Sequence, residues 1–168
     1  YTKKDQYIIN GEKVILAAVI IDKKGYVSLE KALNDVQDGD TLKIFEGDYT
    51  VDLNVNKDIT VIGETDANGT NLVNINGKLN ITADGATVKN INVTNTTAGG
   101  TAGYINAENV LIEGCTIVGD NAFAGCYTDG EVTFKDSKIL GNMTNGIQFV
   151  GSQGGKILID NCEISGYT

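Results

Sequence analysis

Three groups of side chains carry chemistry by type and spacing. The first is a column of charges: Lys89, Glu113, Lys135 and Asp160 stand 24, 22 and 25 residues apart. Each is second in an eight-residue unit that recurs through the C-terminal half. If these units stack in register, the charges alternate in sign at the roughly 4.8 Å spacing of neighbouring strands. Such a column acts as an ionic ladder that supports register, at about 0–1 kcal/mol per exposed pair. The chemical alternative makes Lys135 a general base, with Glu113 and Asp160 as calcium ligands, abstracting a proton from a uronate. Neighbouring carboxylates raise a lysine pKa, which opposes that role unless a metal neutralises them.

The second group is Asp120, Asn121, Phe123, Tyr127 and Asp129, gathered around the loop Gly119–Gly125. Tyr127 follows Cys126, which falls in an inward column, so the tyrosine is expected to point outward. An exposed tyrosine flanked by Asp and Asn suits stacking on a sugar ring with hydrogen bonds to its hydroxyls. Asp120, Asn121, Tyr127 and Asp129 are therefore the ligand-binding candidates; the plainer reading is ordinary surface. The third group is Cys115, Cys126 and Cys162. An odd, low count argues against a disulfide framework. Cys115 and Cys162 lie two units apart, roughly 9–10 Å if the units stack, too far to bridge, so inert buried thiols are expected.

What is missing narrows the chemistry further. The 168 residues include 22 acidic and 13 basic side chains, a net charge of −9, and no His. No Arg occurs, so every basic residue is Lys. No His-dependent nucleophilic triad, no His-ligated zinc and no guanidinium clamp can be built. An acidic chain with scattered Lys suits no nucleic-acid partner. The longest apolar run, Val14–Ile21, is too short to insert into a membrane. The first residue is Tyr and no signal peptide is visible, so excision from a longer precursor is expected.

The elements that must position these groups follow from periodicity. Tyr7–Val14 contains Asn10-Gly11 between apolar runs, a hairpin signal, and Val14–Ile21 reads as a buried strand. Ser28–Gln37 has Leu29, Ala32, Leu33 and Val36 at helical spacing, with Ser28 as N-cap. From Thr41 the pattern turns to short strands that repeat. The units starting at Val88, Ile112, Phe134 and Ile159 align without gaps. They give inward ladders Val88/Ile112/Phe134/Ile159, Ile91/Cys115/Ser137/Cys162 and Val93/Ile117/Ile139/Ile164. Two corner ladders, Asn90/Gly114/Asp136/Asn161 and Asn95/Gly119/Gly141/Gly166, use residues that tolerate left-handed backbone. A further strand precedes each unit and places Tyr104, Cys126 and Ile147 in one column. Three short strands per coil of 22–25 residues describe an all-β, right-handed parallel β-helix with an N-terminal capping α-helix. The chain reads as one domain over 1–168: hairpin and strand 1–27, capping helix 28–37, rungs 41–168.

The stretch SLEKALNDVQDGDTLKIFEGDYTVDLNVNKDITVIGE, residues 28–64, together with the rungs that follow, resembles the pectin-lyase-like superfamily of right-handed parallel β-helices. That resemblance implies polysaccharide lyases, pectin methylesterases, polygalacturonases, surface adhesins or phage tailspikes, and fold alone does not choose among them. The chain departs from the enzymes. Pectate lyases of this type use an Arg base beside calcium-binding Asp residues, pectin methylesterases two Asp with an Arg, and polygalacturonases an Asp cluster with His and Arg.

These readings lead to a non-catalytic extracellular module, adhesin-like or carbohydrate-binding, with a polysaccharide or surface protein as ligand and no cofactor. The alternatives are a calcium-dependent lyase fragment centred on Lys135 and a structural β-helix of a phage particle or surface array. Extracellular or cell-surface placement is what the resemblance implies. The last rung shows no cap, so self-association, further rungs or another partner is expected to cover it.

Overall fold

The computed structural model describes residues 6–9, 12–15, 18–22, 24–141, 146–150 and 154–166. Strands β1 (Gln6–Ile9) and β2 (Glu12–Ile15) pair antiparallel with Tyr7 opposite Val14, the expected hairpin. Its Asn10-Gly11 turn lies outside the described residues. The run Val14–Ile21 does not form one strand. β2 ends at Ile15, and β3 (Val19–Ile21) is held instead between β4 (Lys24–Tyr26) and the first rung, antiparallel to both.

Helix α1 (Leu29–Asp35) follows, with the Ser28 side-chain oxygen accepting the Lys31 N–H at 3.3 Å. Leu29, Ala32 and Leu33 are buried, against β3 and β4. The helix is shorter than its apolar spacing suggests. Val36 stays in the core but turns to ψ 147°, and the Asp40 carboxylate accepts the Gln37 N–H at 2.7 Å, tying the chain into a turn. The N-terminal end is thus closed in two layers: an antiparallel strand seals the sheet edge, and the helix covers the strand.

The coils then run as β5 (Thr41–Ile44), β6 (Gly47–Tyr49) and β7 (Leu53–Val55); β8 (Thr60–Gly63), β9 (Val73–Asn76) and β10 (Leu79–Ile81); and β11 (Thr87–Lys89), β12 (Asn92–Asn95) and β13 (Thr101–Asn106). They continue as β14 (Val110–Glu113), β15 (Thr116–Gly119) and β16 (Asn121–Tyr127); β17 (Glu131–Lys135), β18 (Lys138–Leu140) and β19 (Ile147–Phe149); and finally β20 (Lys156–Asp160) and β21 (Glu163–Ser165). First strands of each coil form an eight-stranded sheet with β3 and β4 at its start; second strands form a six-stranded sheet and third strands a five-stranded one. All inter-coil pairings are parallel, which is the right-handed parallel β-helix expected.

Register carries the inward side chains into stacks. Leu42, Val61, Val88, Ile112, Phe134 and Ile159 lie one above the next. So do Tyr49, Ile75, Val93, Ile117, Ile139 and Ile164. Most of these are fully buried, but Ile159 and Ile164 on the last coil are exposed, because no described residue lies over them.

Two expectations about register are corrected. Tyr104, Cys126 and Ile147 do not share a column: Tyr104 stands opposite Asn80, Cys126 between Ile105 and Phe149, and Ile147 opposite Phe123. The cause is a bulge. β16 carries one extra residue between Phe123 and Cys126 relative to both neighbours, which shifts everything after it. The two corner ladders also differ from one another. Asn90, Gly114, Asp136 and Asn161 all adopt left-handed backbone, with φ of 58°, 65°, 49° and 50°. In the second ladder only Gly166 does, at φ 84°. Asn95 and Gly119 instead pair within β12 and β15. Gly119 is required for space: a Cβ there would sit 2.9 Å from that of Ala102.

Candidate functional site

The charge column forms as spacing suggests. Lys89, Glu113, Lys135 and Asp160 are direct cross-strand neighbours on the outer face of the eight-stranded sheet. Glu113 is gripped from both sides, Oε2 at 2.6 Å from Lys89 Nζ and Oε1 at 3.0 Å from Lys135 Nζ. Hydrogen bonds from Lys89 and then Lys135 hold its carboxyl below the usual range. In turn Glu113, and more weakly Asp136 and Asp160, raise the Lys135 ammonium. A lysine pushed upward keeps its proton, which is the opposite of what a general base at neutral pH requires. The metal alternative fits no better. Glu113 and Asp160 are separated by the strand bearing Lys135, and among the described residues no cluster of three or more acidic or Cys side chains could hold a metal.

The four ligand-binding candidates are split into two places. Asp120 and Asn121 sit where β16 begins. Asp120 accepts the Gly99 N–H at 2.6 Å, while Asn121 donates its N–H to Gly100 O at 3.1 Å and its amide to Gly99 O at 3.4 Å. They serve to hold the turn of the coil below. Tyr127 and Asp129 lie at the other end of the strand, roughly 20 Å away at about 3.3 Å per residue.

At that other end the structure builds a groove. Tyr127, 40% exposed, lies opposite Asn106 at the end of β13. Its ring lies back across Gly125, where a Cβ would come within 2.3 Å of it. This brings it to Tyr104, 37% exposed, with ring centroids 5.6 Å apart and planes tilted by 46°. Beside the pair, Asp84, Asn106, Glu108, Tyr127, Asp129 and Val150 line an open cleft of about 360 Å³. Its floor is fixed by backbone. Asp84 accepts the Glu108 N–H at 2.8 Å, and the Thr128 hydroxyl accepts the Gly130 N–H at 3.1 Å. The result is an aromatic shelf next to a row of oxygen acceptors, with no cation among the lining residues.

Sequence reading missed Tyr104, Asn106, Asp84 and Glu108. A signal was present for the acids: Asp84-Gly85, Glu108-Asn109 and Asp129-Gly130 each place an acid before a corner residue, once per coil. Gly85 and Asn109 have φ of 80° and 55°. Cys115 and Cys126 are buried as expected, whereas Cys162, on the last coil, is only partly buried. All three are free; burial pushes the Cys115 thiol up to about 12 and that of Cys126 up to about 11. Ser137 keeps its place in that inward column by accepting the Cys115 N–H at 3.1 Å and donating to Lys135 O at 2.7 Å.

Compared with solved structures, the chain is similar to the pectin methylesterase from Aspergillus niger in its deglycosylated form, at 22% identity and a TM-score of 0.65, over 83% of this chain and 53% of that one. The same enzyme in penultimately deglycosylated form matches at 21% identity and a TM-score of 0.67, over 85% and 55%. This chain shares the parallel β-helix fold of that enzyme. The likeness at these identities is one of fold, and this β-helix spans about half the length of the structures it matches. No family model and no curated protein sequence matches the chain. Among the described residues no helix of this chain is long and apolar enough to cross a membrane.

Proposed function

We propose that this chain is a non-catalytic, extracellular β-helix module that binds carbohydrate, in the manner of an adhesin or surface binding protein, at the Tyr104–Tyr127 groove. The observation that carries the reading is the paired, exposed tyrosine rings 5.6 Å apart, of which Tyr127 lines a cleft together with Asn106, Glu108 and Asp129. Aromatic faces pack on the apolar faces of sugar rings, and carboxylates and amides take up hydroxyls. Support comes also from the fold neighbour, named as an esterase acting on pectin, although this chain contains no Arg and keeps Lys135 paired with Glu113. Extracellular placement accords with a polysaccharide ligand.

The test is isothermal titration with a panel of neutral and acidic oligosaccharides, alongside assays for methanol release from methylated pectin and for unsaturated uronate products with added calcium. The expected result is binding by the parent chain, weakened at least tenfold in Tyr127→Ala (about 1.4 kcal/mol), unchanged in Lys135→Ala, with no turnover. Turnover abolished by Lys135→Ala, or binding indifferent to Tyr127, would contradict the proposal.

A further inference from the structure

The Tyr104–Tyr127 groove has a charge as well as a shape. Both rings stand on interior strands of the five-stranded sheet: β13 lies between β10 and β16, and β16 between β13 and β19. The ladder acids Glu113 and Glu131 are each paired with Lys. Two of the cleft acids are not: among the described residues neither Asp84 nor Glu108 is ion-paired with a Lys. Asp84 uses one oxygen to accept the Glu108 N–H at 2.8 Å. Lys57, on the corresponding corner of the coil below, is held elsewhere, donating to Val36 O and Asn34 O. No lining residue is cationic. Nor are the acids set out as chelators, since among the described residues no three acidic or Cys side chains are grouped to hold a metal.

Beside these carboxylates stand the two exposed rings, 5.6 Å apart with planes tilted by 46°. The face of an aromatic ring attracts a cation through its quadrupole, and adjoining rings are a recurrent receptor for ammonium groups. Carboxylates add charge-assisted hydrogen bonds to cationic N–H donors. The rings and the acids therefore favour the same kind of ligand. They disfavour a uronate, whose carboxylates would be set against like charge. The net charge of −9 adds a field of the same sign around the whole molecule.

We propose that the groove selects amine-bearing glycans over neutral and acidic ones, with the protonated sugar amine held between the tyrosine faces and the carboxylates of Asp84 and Glu108. This inference rests on the carbohydrate reading of the groove and adds the class of sugar. N-Acetylation of the same glycan keeps the ring but removes the charge and most of the N–H donors, so the acetylated form isolates what the ammonium contributes.

Isothermal titration on the 168-residue chain tests it with four probes: glucosamine oligomers, their N-acetylated counterparts of equal length, oligogalacturonate and, as a cationic peptide, trilysine. Mildly acid pH keeps Asp and Glu ionised and the sugar amine protonated. The glucosamine oligomer is expected to bind at least tenfold more tightly than the acetylated one, with oligogalacturonate weaker still, and the preference should shrink with added salt. Glu108→Gln keeps the side-chain shape and removes one charge. Its amine-to-acetyl preference is expected to fall at least threefold while circular dichroism matches the parent. Glu30→Gln, which removes a charge from the first turn of the helix, should keep the parent's preference. Equal binding of the amine and acetyl forms, or tightest binding of oligogalacturonate, would overturn this inference and leave the carbohydrate reading standing. Trilysine binding as tightly as the glucosamine oligomer would also overturn it, because charge without sugar would then suffice. Binding of none of the three sugars would overturn both.

Discussion

At the scale of single residues, Glu113 is the centre of the charge column. Its folded-state pKa lies below the unfolded value, chiefly because of Lys89 and then Lys135. It therefore stabilises the fold above the unfolded carboxylate pKa and loses that contribution as pH falls toward the folded value. Both neighbouring ammonium groups are partly exposed, so solvent screening keeps the effect small. Glu113→Gln is expected to cost about 0–1 kcal/mol at neutral pH and nothing at strongly acid pH, as measured by urea unfolding across the acid range. The column was legible in the sequence because a repeat of 22–25 residues returns the same position to the same face. The groove was only half legible. Asp120, Asn121, Tyr127 and Asp129 are neighbours in sequence, but residues 121–127 are one extended strand. Closeness along the chain therefore became separation in space.

At the scale of elements, corners and bulges decide what the strands present. The Asn90/Gly114/Asp136/Asn161 corner was readable because few residue types tolerate φ near +50° to +65°. Asn90→Val should cost about 1–2 kcal/mol, the ordinary penalty of a left-handed backbone for such a residue, while Asn90→Gly should cost less. Paired urea titrations of the two variants would check the order, and equal costs would show that the corner conformation is not what selects Asn90. The bulge in β16 was not readable, since Ala124 and Gly125 fit an unbroken strand equally well. Its consequence is felt at the candidate site: the shift sets Tyr127 opposite Asn106, with its ring over Gly125 and against Tyr104. Helix α1 was visible from its apolar spacing, but its end was not, because Val36 is buried equally well by a turn as by a helix.

At the scale of the molecule, the fold follows from repetition: each coil buries its apolar stacks only against the coils on either side. Within the net charge of −9, Glu113 and Glu131 in the ladders are paired with Lys, whereas the corner acids Asp84, Glu108 and Asp129 gather at the cleft. That separation makes the central claim spatial: sugar is bound at one end of β16 and not along the ladder face. Chemical-shift mapping of the isotope-labelled chain, titrated with the oligosaccharide that binds it in the calorimetric panel, tests this most directly. Shifts concentrated at Tyr104, Asn106, Glu108, Tyr127 and Asp129 are predicted. Shifts centred on Lys89, Glu113 and Lys135, or on the Gly99–Asp120 turn, would contradict it.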